Sequence, residues 1–150
     1  MEELAPEIGF TGPGLVPEYK TAGAAGADIK AYFPDEKFNS ITLPPGEWQA
    51  ISTGLSLEIP QGWEVQIRPK SGLALNFGLT VLNAPGTIDS DYRGVVKVIL
   101  INHSSRPVVI HHGDAIAQMV VAPVARASFR IKAVLSETER GSGGFGSTGK

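Results

Sequence analysis

The sequence contains no cysteine, so no disulfide braces the fold and no thiolate serves as nucleophile or metal ligand. No apolar run approaches the length that crosses a bilayer, and no membrane partner is expected. Met1, Glu2 and Glu3 lack the basic and apolar regions of a secretory leader, which gives the expectation of a cytoplasmic protein. Net charge is small: 13 Lys and Arg against 15 Asp and Glu leave −2 at neutral pH. Binding by phosphate neutralisation needs a basic excess, so no nucleic-acid partner is expected. Histidine is scarce too. His103, His111 and His112 have no further ligands at zinc-site spacing and read as surface residues.

Glycine and proline are abundant, at 18 and 11 residues. They punctuate short β-rich runs at roughly ten-residue intervals, the pattern of an all-β sandwich or barrel. Hydrophobic residues make up 42% of the chain, enough for a real core, and the 150 residues read as one domain without internal repeats. Pro44, Pro45 and Gly46 mark a turn. Ile51, Thr53, Leu55, Leu57 and Ile59 recur at the two-residue period of a half-buried strand. After Pro60–Gly62, Trp63, Val65 and Ile67 repeat that period, which predicts a hairpin ending at Arg68.

The stretch L-N-A-P-G-T-I-D-S-D-Y-R-G, Leu82 to Gly94, sits between an apolar run at Leu79–Leu82 and another at Val95–Ile101. It predicts a second hairpin with an elaborate loop. Gly86 and Gly94 allow close backbone approach, Asp89 and Asp91 bring carboxylates, and Tyr92 brings a ring with a polar tip. The run Val95–Ile101 is apolar on both faces, as in a central core strand or a subunit interface.

Around this stretch lie four smaller signals. Small residues surround Asp28 in T-A-G-A-A-G-A-D-I-K-A, so a ligand or a neighbouring backbone can come close. In R-P-K-S-G-L-A, Ser71 is placed to cap a short helix through Leu73, Leu75 and Asn76 that Gly78 stops. The helix start, beside Arg68 and Lys70, is a natural anion site. Gly113 and Asp114 turn the chain into a strand that carries Gln118. The tail R-G-S-G-G-F-G-S-T-G-K, Arg140 to Lys150, cannot stay ordered on its own but can fold over a ligand. Gly144 to Lys150 also matches part of a phosphate-loop pattern, but no strand precedes it and the following Ser/Thr and helix are missing.

Taken in order, A-G-A-D-I, R-P-K-S-G-L-A, the Leu82–Gly94 loop, G-D-A-I-A-Q and the Phe-bearing tail resemble the five motifs of the trimeric dUTPases. The resemblance implies a distorted jelly-roll-like β-sandwich with one short helix. Residues 1–139 would form the β core and 140–150 a flexible C-terminal arm that closes over the active site. It implies Mg²⁺-assisted hydrolysis of dUTP to dUMP and pyrophosphate, by in-line attack of water on the α-phosphate. By that resemblance Asp89 is the catalytic base, and Asp28 reaches Mg²⁺ through water. Arg68, Lys70, Ser71, Gly72 and Gln118 would meet phosphate, Lys70 standing where arginine is commoner. Asn83, Gly86, Thr87, Ile88, Tyr92 and Lys97 would bind substrate, with Tyr92 under the deoxyribose and Asn83 with the hairpin backbone at the uracil edge. Arg140, Phe145, Gly146, Ser147 and Thr148 would close the site, Phe145 stacking on uracil and Arg140 reaching the γ-phosphate. It further implies a homotrimer with shared active sites. The alternatives are a dCTP deaminase-type enzyme of the same fold, or a partner-binding regulatory protein that retains the fold.

Overall fold

The structure, a computed structural model, describes residues 5–149. Its elements run β1 (Gly9–Thr11), β2 (Ala27–Lys30), β3 (Ser40–Leu43), β4 (Trp48–Glu58), β5 (Trp63–Arg68) and α1 (Ser71–Phe77), then β6 (Leu79–Val81), β7 (Gly86–Ile88), β8 (Val95–Asn102), β9 (Val108–His111) and β10 (Ala115–Pro123). One four-stranded sheet has the order β1-β4-β8-β6, a second β2-β10-β5-β7, and β3 pairs with β9 in a two-stranded ribbon. Every pairing is antiparallel. The fold is all-β, as the turn spacing predicts. Among the described residues no helix is long and apolar enough to cross a membrane.

The core is one cluster. Ile51, Leu57, Val98 and Leu100 come to it from the first sheet, and Ile29, Val65, Ile67 and Met119 from the second. Alternation along strands such as β5 supplies this buried face, while Asp28, Thr53 and Asn102 are polar residues that are buried as well.

One expectation fails here. β4 and β5 do not form a hairpin. The turn exists, since the Trp63 N–H donates to the Pro60 carbonyl at 3.2 Å. But β4 pairs with β1 and β8, whereas β5 pairs with β10 and β7. The turn therefore carries the chain from one sheet to the other. Both strands bury alternate residues, and placing them on opposite layers turns both apolar faces into one interior. A two-residue period is the same in either arrangement, so periodicity does not separate them.

The second expected hairpin is present with an addition. Leu79, Thr80 and Val81 pair with Asn102, Ile101 and Leu100. Between these strands the chain crosses to the other sheet, where Gly86, Thr87 and Ile88 pair with Ile67, Gln66 and Val65. The loop is thus fastened to both layers. β8 runs between β4 and β6 and buries Val96, Val98 and Leu100. Its other face leaves Val95 exposed and Ile99 half-buried, and Trp48 on the adjoining strand is 60% exposed.

α1 starts otherwise than expected. Lys70 is its N-cap residue, with extended backbone and no side-chain cap, and Ser71 is already the first helical residue. The hydroxyl therefore does no capping and stays exposed. Gly78 ends the helix as predicted, at φ 60° in the left-handed region, with its N–H on the Ala74 carbonyl.

Candidate active site

Two long-range strand pairings bring distant polar residues into one row. Gln118 on β10 stands opposite Asp28 of β2 on one side and opposite Arg68 of β5 on the other. Lys70 follows two residues after Arg68, and its ammonium meets the Asp28 carboxylate at Oδ1, 2.5 Å away. Gln118 Nε2 donates to the same oxygen at 3.4 Å. Asp28 is only 3% exposed. Burial raises its pKa and is the strongest single influence. Hydrogen bonds from Lys70 and Gln118, with the charges of Lys70 and Lys20, together outweigh it and hold the carboxyl below its ordinary value. Oδ2 takes no bond from Lys70 or Gln118, and since no fully enclosed polar side-chain atom among the described residues lacks a partner, it keeps a small opening to solvent.

Arg68 is oriented by residues that sequence reading passed over. Its guanidinium donates to Gln66 Oε1 from Nε at 3.1 Å and from Nη2 at 2.8 Å. The Gln66 amide is in turn held by Glu64 Oε1, 2.6 Å from Nε2. The signal was available: Glu64, Gln66 and Arg68 alternate with the core residues Val65 and Ile67, so all three share the outer face of β5.

The Leu82–Gly94 loop forms a second centre. Asp89, Tyr92 and Lys97 line a groove of about 370 Å³ with Thr87, Ile88 and Val95. Asp89 is exposed just beyond β7, and its carbonyl accepts from the Tyr92 N–H at 3.2 Å. The Tyr92 hydroxyl donates to the Val95 carbonyl. Asn83 and Gly86 adjoin, since a Cβ on Gly86 would lie 3.5 Å from Asn83 Nδ2. Neither Asp28, Lys70, Gln118 nor Arg68 lines this groove.

The tail forms a third group. From Thr138 to Gly149 its backbone hydrogen bonds close only local turns. Arg140 Nε donates to the Gly143 carbonyl at 2.7 Å. Phe145 is fully exposed, and Ser147 and Thr148 lie beside it in solvent. Lys150, the last residue of the phosphate-loop-like pattern, lies outside the described residues.

Among the described residues no group of three or more His, Asp or Glu side chains could cage a metal ion. Mg²⁺ does not need one, because it keeps waters and pairs one or two carboxylates with substrate phosphates. Asp28, a lone carboxylate with one oxygen free, suits that donor set. The histidines lie at the surface, though His112 Nδ1 accepts from the Phe33 N–H at 3.0 Å.

Comparison with known proteins agrees across the chain. The profile of the family described as dUTPase matches residues 13–149. A deoxyuridine 5'-triphosphate nucleotidohydrolase of Roseobacter denitrificans is 60% identical over 134 residues, covering 89% of this chain and 86% of that protein. One from an Anaeromyxobacter species is 52% identical over 144 residues, covering 95% and 94%. In three dimensions the chain is similar to a dUTPase of Staphylococcus bacteriophage 80alpha bound to dUpNHpp. The TM-score is 0.82 at 22% identity, over 96% of this chain and 99% of the other. It is also similar to a dUTPase of phage phi11 of S. aureus, described with a coordinated structural Mg(II) ion. There the TM-score is 0.76 at 19% identity, over 87% and 99%.

Proposed function

This chain belongs to the dUTPase family, and from that premise we propose how its residues divide the hydrolysis of dUTP to dUMP and pyrophosphate. Asp89 takes a proton from water as the water oxygen bonds to the α-phosphorus. The bond to the α–β bridging oxygen breaks, and pyrophosphate leaves with its electron pair. Tyr92 packs under the deoxyribose and excludes a 2′-hydroxyl, while Asn83 and the loop backbone read the uracil edge. Arg68, Lys70, Gln118 and the exposed start of α1 at Ser71 and Gly72 hold phosphate oxygens. Asp28 would hold hydrated magnesium through one of its waters, and the ion would screen the charge of the triphosphate.

One observation carries this division. The groove holding Asp89, Tyr92 and Lys97 does not include the row of Asp28, Gln118 and Arg68. On this reading the nucleoside-reading and phosphate-holding groups of one chain line different surfaces. A homotrimer in which the groove of one copy meets the row of the next completes the site. The uncovered outer face of β8, with Val95, Ile99 and the neighbouring Trp48, supports such an assembly. So do Phe129 and Ile131, fully exposed after the last strand. The tail then closes over the site, Phe145 on the base and Arg140 at the terminal phosphate.

The test is to measure pyrophosphate and ammonia separately with dUTP and with dCTP. Pyrophosphate from dUTP, with no ammonia from either, is the expected result. Ammonia from dCTP would overturn the reading.

A further inference from the structure

We propose that Lys70 is an exchangeable counter-cation, which neutralises Asp28 in the free protein and passes to the triphosphate when Asp28 turns to hydrated magnesium. This rests on the reading of Asp28 and Lys70 given above and adds the link between them.

A buried carboxylate needs a partner, and Asp28 is buried with Lys70 as its cation. Among the described residues Lys70 alone stands at ion-pair distance from it. The neighbouring Lys30 and Lys20 are turned to Glu18, at 3.6 and 2.7 Å. If Lys70 left for a phosphate oxygen without replacement, a buried charge would be stranded. Engagement of phosphate by Lys70 and capture of a cation by Asp28 are therefore one event.

The local geometry permits the exchange. The Lys70 backbone is fixed, its carbonyl accepting from the Ala74 N–H at 3.1 Å, so only the side chain has to move. That side chain is 23% exposed and belongs to the residue directly before Ser71 and Gly72. Lysine carries a point charge on a flexible stem, with donors that rotate freely. An arginine fork, by contrast, is committed to one planar geometry. Lys70 and Gln118 both address Oδ1, which leaves Oδ2 free to take a metal-bound water before Lys70 departs. The consequence is synergy: nucleotide without magnesium competes with Asp28 for Lys70, and nucleotide with magnesium does not.

Calorimetry with the uncleavable α,β-imido-dUTP, with and without Mg²⁺, tests this on the parent, Asp28→Asn, Lys70→Gln and the double variant. Without Mg²⁺, Asp28→Asn should tighten analogue binding several-fold, up to about tenfold, by freeing the ammonium. That gain should vanish when Lys70 is Gln. With Mg²⁺, Asp28→Asn should weaken binding instead. A gain of equal size in the Lys70→Gln background would mean general charge repulsion and overturn the exchange alone. Unchanged Mg²⁺-supported binding in Asp28→Asn would overturn the underlying metal reading, and the exchange with it. Lys70→Gln by itself supplies an independent measure. The Mg²⁺ concentration for half-maximal analogue binding should fall, because the carboxylate is no longer occupied, and a rise would overturn the exchange.

Discussion

The Tyr92 hydroxyl donates to the Val95 carbonyl at 3.2 Å, which folds the aromatic ring back over Gly94. A Cβ on Gly94 would overlap that ring. Gly94→Ala should therefore displace Tyr92 and weaken discrimination between dUTP and UTP. Tyr92→Ala should relax the same preference, and should do so more than it relaxes the preference for dUTP over dTTP. The measurement is kcat/KM for the three nucleotides in each protein. Unchanged ratios would remove Tyr92 from sugar selection.

Asp89→Asn should leave the circular dichroism spectrum and analogue binding close to the parent, since the exposed side chain keeps its shape. Turnover should fall by about 10² or more, the usual scale for loss of a positioned base. Activity within a few-fold of the parent would move the role elsewhere, with Asp91 next to test.

Deleting everything after Glu139 should hardly change the melting temperature, because no hydrogen bond of the tail reaches a sheet among the described residues. Hydrolysis should collapse if, as proposed, closure both excludes water and delivers Arg140. Phe145→Trp should give fluorescence that responds to an uncleavable dUTP analogue. A truncated enzyme of full activity would reduce the tail to a linker.

Ile99→Glu places a charge on the uncovered face of β8 without touching the core residues Val98 and Leu100. The expected product is a folded monomer with almost no dUTP hydrolysis, seen by light scattering and by assay. A monomer with parental activity would contradict a site shared between copies.

Asn102 is fully buried, and its amide nitrogen donates to the Leu43 and Arg106 carbonyls at 3.0 and 2.7 Å. Its oxygen accepts from the Ser104 N–H and hydroxyl. Asn102→Ala strips these partners inside the protein and should cost roughly 2–3 kcal/mol of stability, read from urea unfolding. A loss under about 0.5 kcal/mol, the range of ordinary surface changes, would mean that water replaces the amide.

Local features were legible in the chain, and long-range partnerships were less so. The faces of β4 and β5 follow from alternation at Ile51–Ile59 and Trp63–Ile67, because burying one side is a property of a single strand. Which strand lies beside which depends on distant segments, and there the hairpin expectation failed. The same limit governs the row of Asp28, Gln118 and Arg68. Each sits in a recognisable short motif, yet their alignment depends on two separate strand registers. The start of α1 was misplaced by one residue, since Ser beside Lys suggests a cap, but the helix begins at the serine itself. The Lys70–Asp28 pair joins residues far apart in the chain and carries no local signature at all.

The loop that holds Asp89 is sewn into both layers, through β6 and β8 on one side and β7 on the other. Such a loop has no hinge of its own: loosening it means parting the sandwich. Local opening and global unfolding become nearly the same process there, so the amides that β7 donates to β5 should exchange with solvent about as slowly as those of the core strands. Mutational robustness follows the same line. A core substitution that leaves the chain mostly folded should still lower turnover, because Asp89, the proposed base, shares its anchorage with the fold.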